Sequence, residues 1–156
     1  MPVPDVFREG LARGWKTYSG AQLTHDLTLE ADVAIIGSGA GGGTTAEILS
    51  AAGYKVLLIE EGPLKTSSDF KMLEDQAYSS LYQEGIGRMS KDGAITILQG
   101  RAVGGTTLIN WTSSFRTPEP TLEHWAKEHA VKGHSAAEMA PWFAKMEQRL
   151  GVAPWV

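Results

Sequence analysis

The sequence predicts an α/β fold built on a parallel βαβ unit, and three observations carry that expectation. Asp32-Val-Ala-Ile-Ile36 is short, β-branched and apolar at successive positions, as a strand buried on both faces of a parallel sheet requires. Glycines follow it at once, and Thr44 to Ala52 then carries helix-compatible residues closed by Gly53, a C′ glycine. Lys55 to Glu60 repeats the short apolar pattern. A strand, turn, helix and strand within about 30 residues connect by a right-handed crossover, so the two strands lie parallel.

The other elements follow in chain order. Residues 1–30 read as an amino-terminal arm, with a short helix over 5–15 capped by Asp5 and weakened by Gly10 and Gly14. Its Val6, Phe7 and Leu11 share one side, which suits packing. Beyond the βαβ unit, Asp69 to Tyr82 reads as a helix, and Gly85 to Gly93 as a loop. Ala94-Ile-Thr-Ile-Leu98 reads as a short strand leading into a second glycine turn, Gly100-Arg-Ala-Val-Gly-Gly105.

Pro118 and Pro120 precede a helix from Thr121 to His129, and a last helix includes Trp142 to Leu150. Ser135 and Glu138 have capping-box spacing, but Pro141 lies too deep for a helix starting there. The expectation is a short turn, then a new helix with Pro141 near its start. Trp125, Trp142 and Phe143 read as core. No internal repeat or low-complexity tract interrupts the chain.

Composition narrows the function. The chain has 156 residues, 42% of them apolar and 21% charged, the balance of a globular protein. A formal charge of -4 provides no basic stripe for a phosphate backbone, so nucleic acid is not an expected partner. With no cysteine there is neither a disulfide nor a thiolate metal site, and redox chemistry has to come from a cofactor. The first residues lack the apolar stretch of an export signal, and Val33 to Ile36 and Val56 to Ile59 are far short of the roughly 20 residues that cross a bilayer. Cytoplasmic location is the expectation, with peripheral membrane association left open.

Chemistry concentrates in the glycine turns. Gly37-Ser38-Gly39-Ala40-Gly41-Gly42 places glycines at positions one, three and six of the dinucleotide fingerprint. The first permits a tight exit from the strand, the second admits a pyrophosphate to the backbone, and the third lets helix and sheet approach. The following helix points its N-terminus at the anion. Glu60, about 20 residues on, supplies a carboxylate that can accept from both ribose hydroxyls and would repel a 2′-phosphate. A flexible loop alone would explain the glycines but not this strand, helix and acid around them.

The first turn does not separate FAD from NAD, because both present an ADP half to such a fold. The second turn separates them. Gly100-Arg-Ala-Val-Gly-Gly-Thr-Thr-Leu-Ile-Asn110 offers a further cluster of N–H groups and hydroxyls, suited to the rest of a longer dinucleotide. No other reactive constellation competes with it. His124 and His129 are five apart, where helix faces bring together residues three or four apart, so they read as solvated positions and no metal is expected. There is no G-x-S-x-G turn, and Ser113-Ser114 has no positioned base.

GSGAGGGTTAEILSAAGYKVLLIEEG resembles the amino-terminal signature of the glucose-methanol-choline (GMC) flavin oxidoreductases, and GRAVGGTTLIN resembles their second flavin-contacting motif. The resemblance covers most of residues 31–117. It implies a Rossmann-like FAD-binding unit with additional helices, incomplete relative to the full family fold, with 31–156 as the first portion of the FAD-binding domain. It also implies an oxidoreductase acting on the CH–OH group of an alcohol, sugar or polyol by hydride transfer to flavin N5. Gly37, Ser38, Gly39, Ala40, Gly41, Gly42, Glu60 and Glu61 would hold the adenosine and pyrophosphate half. Gly105, Thr106 and Asn110 would lie along the flavin half, with Asn110 near the ring, and Arg101, Gly104, Trp111 and Thr112 would be further cofactor contacts.

Two departures matter. Trp111 stands where many members have glycine, and it reads as a packing residue. Ile109 occupies the position at which some members carry the histidine that bonds FAD covalently, so dissociable FAD is expected. The family's catalytic histidine pair lies late in a longer chain, and His25, His124, His129 and His134 match no part of it, so no catalytic residue is assigned. The expectation is a segment inactive without a carboxy-terminal part and exposing apolar sheet surface, which either associates with another chain or is a piece of a longer enzyme. Two alternatives stand beside it: a non-catalytic flavin- or nucleotide-binding module, or remnant, acting by association, and an NAD-binding protein.

Overall fold

The computed structural model describes residues 4–154, so residues 1–3 of the expected arm lie outside the described residues. These form two compact units that divide between Asn110 and Trp111. In the first unit, β1 (Val33–Ile36) and β2 (Val56–Ile59) pair in parallel, from Val33 opposite Val56 to Ile36 opposite Ile59. The Asp32 carboxylate accepts from the Lys55 N–H at 2.7 Å, which closes the entrance to the pair. Helix α2 (Ala40–Ala51) connects the strands and packs on both.

The expected end of α2 is present. Gly53 adopts φ 94°, its N–H donates to the Ser50 carbonyl, and the Tyr54 N–H donates to that of Leu49, so two terminal carbonyls are satisfied by a left-handed turn. The expectation that β1 is buried on both faces is corrected. Val33 and Ile35 are half-buried, whereas Ala34 and Ile36 are exposed, Ile36 by 88%. With α2 packed on the Ile35 side and two strands in the sheet, the other face meets solvent.

The amino-terminal helix α1 (Val6–Ala12) is shorter than expected, with Asp5 capping the Arg8 N–H at 3.0 Å. Its Val6, Phe7 and Leu11 stay exposed, against the expected packing face. Phe7 meets Trp15 edge-on at 6.1 Å, and polar bonds hold the helix as well: the Asp5 carboxylate accepts from the hydroxyl and N–H of Ser68, and Arg8 pairs with Asp69 at 3.7 Å.

Three further expectations change. Helix α3 (Glu74–Leu81) starts five residues late, because Asp69 accepts from the N–H and hydroxyl of Thr66 to close a turn and Met72 has φ 57°. The strand expected over 94–98 is absent. Its partner segment carries positive φ at Glu84, Gly85 and Ile86, so only single antiparallel bridges form, Met89 to Thr96 and Tyr82 to Gly100. A ladder needs extended backbone on both sides.

In the second unit, α4 (Glu119–His129) places Pro120 in its first turn, where a missing N–H costs nothing, and buries Leu122. Helix α5 (Ala136–Leu150) starts at a Ser135 and Glu138 capping box and runs through Pro141, which corrects the expected break. Pro141 removes a single N–H, and the reciprocal cap holds the turn ahead of it. Trp125 and Trp142 are exposed, Trp142 by 60%, and Phe143 is half-buried, so none serves as core among the described residues. No described helix is long and apolar enough to cross a membrane.

Candidate cofactor-binding site

β1 delivers the chain to Gly37, whose N–H donates to the Ile59 carbonyl at 2.8 Å and whose φ is 90°, a left-handed exit that glycine makes without strain. Gly42 is required by packing, since a Cβ there would stand 1.9 Å from the Gly37 carbonyl oxygen. Gly39 differs. Its φ of -65° is open to any residue, and a Cβ there would meet nothing within 4 Å.

Gly39 is also the N-cap of α2, and no side chain caps the helix. The N–H groups of its first turn, from Ala40, Gly41 and Gly42, have no acceptor within the helix, and the positive end of the dipole lies there. The bare face of Gly39 and this uncapped start together fit a pyrophosphate, because backbone can approach the ligand with no Cβ between.

Glu60 follows β2 and turns back to the first glycine turn. Its Oε2 accepts from the Ser38 N–H at 2.9 Å and the Ser38 hydroxyl at 2.6 Å, and its Oε1 accepts from the Gly62 N–H at 2.9 Å. Burial opposes ionisation, but the Ser38 hydroxyl and the surrounding N–H donors outweigh it and hold the carboxyl below its ordinary range. The group is therefore charged at neutral pH. Its acceptor positions are largely taken within the chain, so bonding to both ribose hydroxyls, as the sequence suggests, requires some of these bonds to be given up.

The second glycine turn sits on the first. The Gly104 N–H donates to the Ser38 hydroxyl at 2.9 Å, and a Cβ on Gly105 would approach the Gly39 Cα to 2.9 Å. Gly104 and Gly105 have φ 102° and 57°, and the chain continues as a 3-10 turn, Gly105–Leu108, that packs on α2. Thr106 accepts from the Gly100 N–H at 3.1 Å. Arg101 lies 3.5 Å from Glu61, which also accepts from the Gln83 amide at 2.8 Å.

The fold thus brings together Gly37 to Gly42, Glu60, Glu61, Arg101, Gly104, Gly105 and Thr106. Asn110 ends the first unit, while Trp111 and Thr112 open the second. Trp111 is 90% exposed, which corrects its reading as a packing residue, and Thr112 has φ 57°. Gly62 and Ala102 were missed: Ala102 is fully buried, and a Cβ on Gly62 would lie 2.3 Å from its nitrogen. The one sequence signal was a glycine just after the acidic end of β2.

The uncapped start of α2 suits an anion. Neither turn contains a histidine, and among the described residues no three acidic or histidine side chains could hold a metal.

Comparison with known proteins bears on what this arrangement serves. Residues 78–156, half of the chain, match the family model described as GMC oxidoreductase. The chain is similar to long-chain-alcohol oxidase FAO4A of Arabidopsis thaliana, 40% identical over 106 residues that cover 68% of this chain and 15% of that protein. It is 35% identical over 133 residues to the GMC-type oxidoreductase y4nJ of Sinorhizobium fredii, covering 82% of this chain and 26% of that one. The chain therefore spans about a quarter or less of these relatives. Among solved structures, pyridoxine 4-oxidase from Mesorbium loti matches with a TM-score of 0.53 and 23% identity over 72% of this chain and 24% of that one, a likeness of fold.

Proposed function

The chain belongs to the GMC oxidoreductase family as its amino-terminal part, and from that premise we propose that its two glycine turns hold one FAD, non-covalently, for an enzyme that oxidises an alcohol. The observation that carries this reading is the seating of Gly104 and Gly105 against Ser38 and Gly39, which makes one continuous cradle of two distant segments. The ADP half of such a nucleotide needs the first turn only.

In this reading Gly37, Gly39, Ala40, Gly41, Gly42 and the start of α2 take the pyrophosphate, and the Glu60 charge orients the ribose and rejects a 2′-phosphate. Ser38 and Glu61 lie beside them. Gly104, Gly105, Thr106 and Arg101 face the flavin half, with Asn110 completing it. Bound flavin supplies a hydride acceptor at N5 for the alcohol carbon. The residues named here bind and orient, and none of them is assigned the base that removes the hydroxyl proton. Ile109 has no nucleophilic atom, which supports a dissociable cofactor. The solvent-facing side of the sheet, with Ile36 and Ile59 exposed, is the surface through which the segment associates with further polypeptide.

Titration of the purified chain with FAD and with NAD, followed by flavin fluorescence and competition, tests the reading. Saturable FAD binding, no displacement by NAD, release on acid precipitation and no alcohol-dependent bleaching are expected. Preference for NAD, or flavin that stays with acid-precipitated protein, contradicts it.

A further inference from the structure

We propose that Ser38 is a positioning residue whose side chain ties the first glycine turn, the Glu60 carboxylate and the second glycine turn into one unit before any ligand arrives. The proposal rests on the reading of the two turns as one FAD site and assigns Ser38 a role distinct from touching the cofactor. Its hydroxyl donates its single proton to Glu60 at 2.6 Å and accepts from the Gly104 N–H at 2.9 Å, while its own N–H donates to the same Glu60 oxygen at 2.9 Å. Three segments far apart in sequence meet at one oxygen atom.

Burial makes the arrangement consequential. Ser38 is 6% exposed, so water cannot readily replace a lost partner. Around it, the Val103 N–H donates to the Pro63 carbonyl at 3.1 Å, and Gly62 lies against fully buried Ala102. These contacts set the distance between the segments, but neither reaches the first glycine turn. Among the described residues, Ser38 makes the hydrogen bond that does. Alanine at 38 would leave the Gly104 N–H without its acceptor and Glu60 without its shortest bond, and the second turn would lose its polar hold on the first. Threonine keeps the hydroxyl.

The test uses two readouts on the same chain. Amide hydrogen exchange at Gly104, measured by NMR without ligand, is expected to be slow in the wild type and at least about tenfold faster in Ser38→Ala, with Ser38→Thr close to wild type. FAD affinity, from flavin fluorescence, is expected to fall about tenfold in Ser38→Ala and to be largely restored in Ser38→Thr. Fast exchange at Gly104 in the folded wild-type chain overturns the proposal whether or not the alanine variant folds. Equal FAD affinity of the wild type and Ser38→Ala overturns it as well. A wild type that binds no FAD sinks the flavin reading alone, and a Gly104 amide released by Ser38→Ala would still support the tie.

Discussion

At Gly42 a Cβ would collide with the Gly37 carbonyl oxygen, whereas at Gly39 it would stand in open space on a backbone that any residue adopts. Packing therefore accounts for the first glycine but not for the second, and the two substitutions should separate. Gly42→Ala is expected to lower stability by about 1–3 kcal/mol, because a strand exit or helix start must shift. Gly39→Ala should leave the unfolding free energy, from urea titration, within about 0.5 kcal/mol of wild type, or slightly higher, yet weaken FAD binding at least about tenfold. Equal binding by Gly39→Ala and wild type would remove the ligand from that position. The fingerprint was legible as a spacing, but the difference between its glycines was not, since spacing carries no record of what stands opposite each Cα.

Among the elements, those set by neighbours in sequence were the legible ones. The end of α2 at Gly53, the Asp5 cap of α1 and the Ser135 and Glu138 box are all closed by residues within a few positions. The segment 94–98 has strand composition but no extended partner, and its pattern could not report the positive φ values at Glu84 to Ile86. Pro141 shows the converse, a local signal overridden by the helix around it. Replacing it should restore a backbone bond and relieve a clash. Pro141→Ala is expected to stabilise α5 by up to about 3 kcal/mol, read as a higher urea midpoint and stronger helical circular dichroism. No change, or a loss, would mean that Pro141 is accommodated without strain.

For the whole molecule, the accessible surface of 12587 Å² exceeds the roughly 9,000 Å² expected of two separate globular units of these lengths. Ile36, Ile59 and Trp111 are among the exposed large apolar side chains, and Leu81, Ala102 and Leu122 are the buried apolar side chains among the described residues. Surface of this kind is covered in stable proteins. Sedimentation of the isolated chain should show mass rising with concentration, and a monodisperse, stable, flavin-bound monomer would contradict that expectation. By itself the sequence determined the βαβ unit, its glycine turns and the family they resemble, because strand period, turn chemistry and helix caps are written in adjacent residues. Only the tertiary structure decided that Ser38 joins Glu60 to Gly104, and which side of the sheet is bare. Contacts between distant segments depend on how the chain folds back on itself, which no local pattern encodes.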